Sequence, residues 1–251
     1  MNFKKLGALL AALVVAAGIG SASAAALVGR DINRDAVAAN DASAVYLWDQ
    51  DLGITWLRNA NINGIANWTT QNNFAQSLVT GTGANAISNW RLPSITDYGN
   101  DGCSATTFSF AGGAGTDCGW NVDTSGSEMA HLFYVTLGNL GAYNTAGVHR
   151  GDNPAGGWGL TNVGDFLNMQ SSIYWSGTEY APDTSNAWLF DTFSGSQNYF
   201  NKVNGLYAMA VRPGDVLAAQ VPEPESTLLA LTALAGLGLV RRRRAVGASA
   251  L

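Results

Sequence analysis

The chain has 251 residues, 47% hydrophobic and only 12% charged, with a formal net charge of −5; globular domains usually carry about 25% charged residues. Basic side chains gather at the two ends, so the stretch from 26 to 220 holds seven of them against sixteen acidic ones. A body with that acidic excess repels nucleic acid and anionic lipid, which excludes phosphate-backbone binding as its task.

The first 25 residues run from Lys4-Lys5 through an apolar stretch, Leu6 to Ile19, into the small residues "GSASAAA". A basic start, a short apolar core and an A-x-A-type site predict a secretory signal peptide over 1–25, cut after Ala24. The run is shorter than the roughly 20 residues of a membrane span. The body, 26–220, is one domain's worth of chain, long enough for a substantial core.

Within the body, "AVYLW" (44–48) and "GITWL" (53–57) predict two strands of a hairpin around "DQDL". Over 67–81, Trp68, Phe74, Ala75, Leu78 and Val79 fall at helical spacing, with Gly81 as the expected stop. Pro93 in "ISNWRLPS" ends any regular element there. A second helix is expected in "SGSEMAHLFYVTLGN", with Ser125 and Glu128 as an S-x-x-E capping box. Met129, Leu132, Phe133 and Leu137 form its apolar face, and Gly138 ends it.

Four short aromatic and β-branched segments come next, at 172–180, 186–195, 197–203 and 207–213. Turn residues separate them, which predicts an antiparallel meander with a tight turn at Ser194-Gly195-Ser196. Strands, two short helices and strands again predict an α+β fold, a compact single domain with long loops.

Cys103 and Cys118 are the only cysteines. In an exported chain they predict a disulfide that staples "CSATTFSFAGGAGTDC", a Gly/Ser/Thr-rich segment that packs poorly by itself. Zinc does not fit two cysteines with no histidine beside them, and no metal or other cofactor is expected.

Signatures of common chemistries are missing: there is no G-x-S-x-G, H-E-x-x-H, P-loop or EF-hand loop. "GTGANA" (81–86) fits G-x-G-x-x-A but follows a helix rather than a strand, so it is expected as a loop. Glu128 and His131 have E-x-x-H spacing without the second pair a di-iron bundle needs, so His131 is expected to be structural. His149 is expected on a surface loop. Glu179, Asp183 and Asp191 are the carboxylates with a chance of converging, as an acid/base pair or as calcium ligands. The eight tryptophans are the most unusual feature of the body. Half-exposed tryptophan stacks on sugar rings, because its faces are apolar and its edge polar. Most are expected in the core; Trp175 and Trp188, nearest to polar residues, are the candidates for a ligand face.

Several of these segments resemble the Lcl C-terminal-like family. The resemblance covers most of 45–215 and is carried by W-R-L-P (Trp90 to Pro93), Y-W-S (Tyr174 to Ser176) and V-R (Val211, Arg212). It implies an extracellular α+β domain, akin by fold analogy to C-type-lectin-like folds. The namesake branch binds sulfated glycans, whereas the seven basic residues of this body show no evident polyanion patch in the sequence.

At the C-terminus, Val221-Pro222-Glu223-Pro224 precedes an apolar stretch and then Arg241, Arg242, Arg243 and Arg244. Leu228 to Val240 has 13 residues, about 20 Å as a helix against a hydrocarbon core of ~30 Å, a marginal span. The arginines set that end cytoplasmic, as Lys4-Lys5 does for the N-terminus, so the body lies outside. A uniformly apolar helix followed by a charge cluster sits badly in a soluble core. The order of motif, apolar helix and arginines over 221–251 resembles a PEP-CTERM sorting signal. That resemblance implies a Gram-negative cell, a transient inner-membrane anchor, recognition by an exosortase-type membrane protease, and a link to exopolysaccharide and biofilm.

The expected function is therefore an exported cell-surface or biofilm-matrix protein whose body binds carbohydrate without catalysis. A structural matrix component, and a polysaccharide-acting enzyme using Glu179, Asp183 or Asp191, are the alternatives.

Overall fold

A computed structural model describes residues 27–98, 103, 108–153 and 155–217. The expected signal peptide over 1–25 and sorting segment over 221–251 lie outside the described residues. Among those described, no helix is long and apolar enough to cross a membrane.

Two antiparallel sheets organise the chain. The first holds β1 (Val28–Asp31), β2 (Ala36–Val37), β3 (Ala44–Asp49), β4 (Ile54–Leu57) and β9 (Val211–Pro213) in the order β2-β1-β3-β4-β9. The second holds β5 (Gly119–Trp120), β6 (Ile173–Glu179), β7 (Asn186–Asp191) and β8 (Ser196–Asn201) in the order β5-β8-β7-β6. The expected hairpin is β3–β4, with Tyr46 opposite Leu57 and Asp49 opposite Ile54. Two short helices, α1 (Trp68–Ser77) and α2 (Glu128–Ala130), complete the α+β fold.

Alternation along β3 and β4 sends Leu47, Ile54 and Trp56 to one face of the first sheet. They meet Tyr174 and Phe190 of the second sheet, and Met129, Leu132 and Phe133 from the segment between the sheets, in the largest core cluster. The opposite face is covered as well: Tyr46 and Leu57 pack with Ile87, Trp90 and Val216, and Tyr46 stacks on Trp90 at 5.8 Å. Covering both faces gives Trp56 and Trp90 dry sites on opposite sides of the sheet.

Three local expectations need correction. First, α1 starts as predicted, with the Asn67 side chain accepting from Thr70 N–H at 2.9 Å, but it ends at Ser77 rather than Gly81. Leu78 turns extended, packs on the outer cluster, and leads into a bridge between Thr80 and Ile87. Second, the cap of α2 is Ser127, whose Oγ accepts from Ala130 N–H at 3.1 Å, so Ser125 and Glu128 form no capping box. Glu128 instead receives two hydrogen bonds from the Arg91 guanidinium, at 2.6 and 2.7 Å, and one from Ser94 N–H. A charge-assisted fork of this kind outweighs a neutral cap. After Ala130 the helix widens into a π-helical stretch, His131–Thr136, closed by a bond from Leu137 N–H to the Leu132 carbonyl. The predicted apolar face is nonetheless buried, and Gly138 ends the segment at φ +66°.

Third, only three of the four late segments form the meander. The segment 207–213 crosses between the sheets: Tyr207 bridges Tyr174, whereas Val211 pairs with Trp56 of β4. Between them Ala208, Met209 and Ala210 enter three different core clusters. A segment buried on all sides carries no strand-like alternation, so its partner is set by tertiary packing.

Candidate functional site

The sequence-predicted ligand residues do not form a site. Trp175 is 0% and Trp188 1% exposed, so neither presents a ring face to a sugar, and both are core residues. Trp175 donates to the Ala66 carbonyl and packs with Leu189 and Leu206. Trp188 donates to Asp97 at 3.0 Å and packs against Tyr180 and the disulfide.

Glu179 and Asp191 do not converge either. Glu179 stands opposite Ala187 and Asp191 opposite Ile173, so they lie at opposite ends of the ladder, four residues or ~14 Å apart. A paired acid and base act ~5–10 Å apart. Asp191 instead holds the β7–β8 turn, accepting from Phe193 N–H and Ser194 Oγ–H. Glu179 forms an ion pair with Lys202, which also sits 4.4 Å over the Trp68 ring. Asp183 accepts from Ser185 N–H and Asn186; hydrogen bonding to Ser185 holds its carboxyl below the usual range. Among the described residues no cluster of His, Cys, Asp or Glu is arranged to hold a metal.

What the fold does assemble is an aromatic patch. Phe108, Phe110, Trp120, Tyr143, His149, Trp158 and Phe193 form an unbroken series of ring contacts. Phe110 stacks on Trp120 at 5.2 Å, and both meet Tyr143, at 4.6 and 4.5 Å. Tyr143 touches His149 at 5.0 Å, and Trp158 links His149 to Phe193 at 6.0 and 5.6 Å. Phe108 closes the other end against Trp120 at 5.1 Å. Phe110 is 41% and Phe193 51% exposed, Trp120 and Tyr143 are half-buried and His149 is exposed. Exposed apolar area gathered in one place marks a binding surface more often than scattered residues do.

Most of these rings are held by a polar edge or by backbone hydrogen bonds. The indole N–H of Trp120 donates to the Ser194 carbonyl at 2.9 Å, and that of Trp158 to the Gly151 carbonyl at 2.8 Å. Asn121 fixes the two neighbouring segments by donating to the carbonyls of Phe110 and Tyr143. Tyr143 and His149 are bridge partners across the loop between them, and His149 Nδ1 accepts from Gly151 N–H. Behind the patch, Gly195 (φ +76°) lets the turn approach Gly141 and Phe133 so closely that a Cβ would fall within 3 Å of both. Rings pinned in this way lose little freedom on binding.

The disulfide forms as expected: Cys103 and Cys118 are bonded, with Cα atoms 5.6 Å apart, inside the range a bridge needs. Cys118 directly precedes β5, so the staple also fixes Trp120. Beside the patch lies a cleft of about 390 Å³ lined by Asn121, Asp123, Tyr134 and Thr145. Asp123 accepts from Gly115 N–H and from Ser125. These bonds, the Gly115 amide first, hold its carboxyl at about 2. Burial pushes the Tyr134 phenol up to about 12.

The patch draws on separate segments between 108 and 193, which sequence reasoning did not bring together. The available signal was the recurrence of aromatic residues inside Gly/Asn-rich loops, where no helix or strand periodicity explains them. Comparison with family models, with curated proteins and with solved structures gives no match for this chain.

Proposed function

We propose that the chain is an exported protein whose body is a non-catalytic carbohydrate-binding module, with the aromatic patch as its sugar face. The observation that carries this is the contiguous, partly exposed series from Phe110 through Trp120 and Tyr143 to Phe193. A pyranose offers a face of C–H groups to a ring of this kind, while its hydroxyls reach polar groups at the edge. Asn121, Thr145 and the ionised Asp123 in the adjoining cleft supply such groups. The separation of Glu179 from Asp191 favours binding over hydrolysis by that pair.

The signal-peptide pattern at 1–25 and the PEP-CTERM-like order at 221–251 support export, transient inner-membrane anchoring and release by an exosortase-type protease to the cell surface or matrix. A disulfide in the body suits that oxidising destination. The ligand class then is an extracellular polysaccharide, and a two-sheet α+β body with long loops suits a C-type-lectin-like module.

A polysaccharide panel tests this with full-length protein and with Trp120→Ala and Phe110→Ala. Retention of at least one glycan by the wild type, weakened about tenfold in each folded variant, is the expected result. A wild type that retains nothing, or variants that bind equally well, would return the protein to a purely structural matrix role.

A further inference from the structure

The aromatic patch opens onto the outer face of the second sheet. Directly opposed residues of antiparallel strands share a face, and register sets one row across all four strands. Trp120 of β5 stands opposite Ser196 of β8, Ser196 opposite Asp191 of β7, and Asp191 opposite Ile173 of β6. The next row on this face pairs Asn198 with Leu189, and the one after pairs Phe200 with Ala187. The other face holds Tyr174 and Phe190, buried towards the first sheet. At its far end the outer face is covered, where Trp175, Ala187 and Leu189 pack with Ala75 of α1 and with Leu206. Between that cover and the patch it is open: Ile173, Asp191, Ser196 and Asn198 are half-buried, and Phe200 is 46% exposed.

These residues line a groove of about 220 Å³ with the buried Leu189 beneath them. The β7–β8 turn joins it to the patch. Phe193, a ring of the patch, donates its N–H to Asp191 Oδ1, while Ser194 Oγ donates to Asp191 Oδ2 and lies 3.0 Å from Ser196 Oγ. The Trp120 indole N–H reaches the Ser194 carbonyl in the same turn. From Ser196 to Phe200 the strand advances ~13 Å, longer than a single sugar ring. Phe200 and Ile173 offer apolar contact to the C–H face of a pyranose. Among the described residues the Asn198 side-chain NH2 donates to no acceptor, while its Oδ1 accepts from Tyr199 N–H, so the NH2 is at hand for a hydroxyl. Among the described residues no cation lines this groove or the cleft beside the patch, and each is lined by a carboxylate, Asp191 and Asp123. Like charge repels uronate and sulfate groups from both.

We propose that this groove is a second subsite of the sugar face, and that the ligand is a run of several residues of an uncharged polysaccharide. The inference rests on the carbohydrate reading above and extends it. The sugar chain lies on the rings from Phe110 to Phe193, crosses the β7–β8 turn and reaches Phe200. A disaccharide fills only one part of such a face, so affinity grows with chain length until both parts are occupied.

The test uses full-length protein and the uncharged polysaccharide of the panel that it retains most, hydrolysed and sorted by length from disaccharide to octasaccharide. Calorimetry is expected to show the hexasaccharide binding about tenfold tighter than the disaccharide, the gain from one further ring contact and its hydroxyl bonds. Phe200→Ala removes most of that gain and Asn198→Ala part of it, while both leave disaccharide affinity unchanged. Near-UV circular dichroism checks that each variant folds. Trp120→Ala weakens both lengths alike, and oligogalacturonates of the same lengths bind more weakly than the uncharged chains. Equal affinity for disaccharide and hexasaccharide, a gain that survives Phe200→Ala, or an oligogalacturonate that binds as tightly overturns the subsite. In each of those cases a disaccharide whose binding is lost in Trp120→Ala leaves the patch standing. A wild type that retains only charged polysaccharides overturns the subsite alone, and one that retains none condemns the patch with it.

Discussion

Breaking the Cys103–Cys118 bridge tests the stability of the body and the integrity of its patch together. The bridge closes a loop with a sequence separation of 15, which in the chain-entropy model stabilises the folded state by ~3 kcal/mol. A domain of roughly 195 residues loses about 2–4 °C of melting temperature per kcal/mol, so reduction is expected to lower Tm by about 6–12 °C. The sulfurs pack against Ile95, Tyr180 and Trp188, and a double Cys→Ala variant keeps that cluster free of new polar groups. Differential scanning calorimetry with and without a phosphine reductant measures the shift. Because Cys118 adjoins Gly119 and Trp120, loosening should spread to β5. Gly119 has no room for a Cβ, which would lie 1.8 Å from the Ser109 carbonyl oxygen. Glycan retention should therefore weaken well below the melting transition. A Tm shift under ~2 °C, or full retention by the reduced protein, would refute the claim that the staple supports this region.

Burial and hydrogen bonding set the outcome of other substitutions. Trp175→Ala or Trp188→Ala removes a ring that is at most 1% exposed and is expected to cost ~3–5 kcal/mol in urea unfolding; a folded variant with a selective binding defect would contradict their core role. Ser127→Ala loses the α2 cap and should cost ~1 kcal/mol, whereas Ser125→Ala should leave that helix start intact, as the unfolding midpoints of the two variants would show. Asp123 has a folded pKa depressed to about 2, so its stabilisation is present above the unfolded value of 3.8 and fades as pH falls towards 2. An NMR titration of the Gly115 amide should have its midpoint near 2, and a midpoint near 4 would refute the hydrogen-bonded turn. Tyr134 and Tyr174 are raised by burial to about 12, so their contribution is intact below 10 and lost as pH rises through 12; ultraviolet titration should find two phenols that ionise late.

How much of this the sequence discloses depends on whether the information is local. The β3–β4 hairpin is legible because two β-branched and aromatic runs flank one turn, and the Gly138 stop is a single-residue signal, whereas the Asn67 cap of α1 emerges only in the structure. The offset of the α2 cap is not, because Arg91, 37 positions away, claims Glu128. Trp175 and Trp188 mislead for a related reason. Their polar neighbours suggest exposure, yet Ser176 and Gln197 are themselves at most 1% exposed, since sheets covered on both faces bury polar side chains as well. The aromatic patch needs contacts of Phe110 with Tyr143 and of Trp158 with His149 and Phe193, which only tertiary folding supplies.

The central claim is that exposed rings, rather than the buried tryptophans, hold a polysaccharide. Affinity electrophoresis of full-length wild type and a Phe110→Ala/Trp120→Ala double variant, in gels containing an exopolysaccharide, tests it most directly. The wild type should be retarded in proportion to the polysaccharide present, and the variant, with its melting temperature within a few degrees of wild type, should migrate as in the empty gel. Equal retardation of the two proteins would contradict the account.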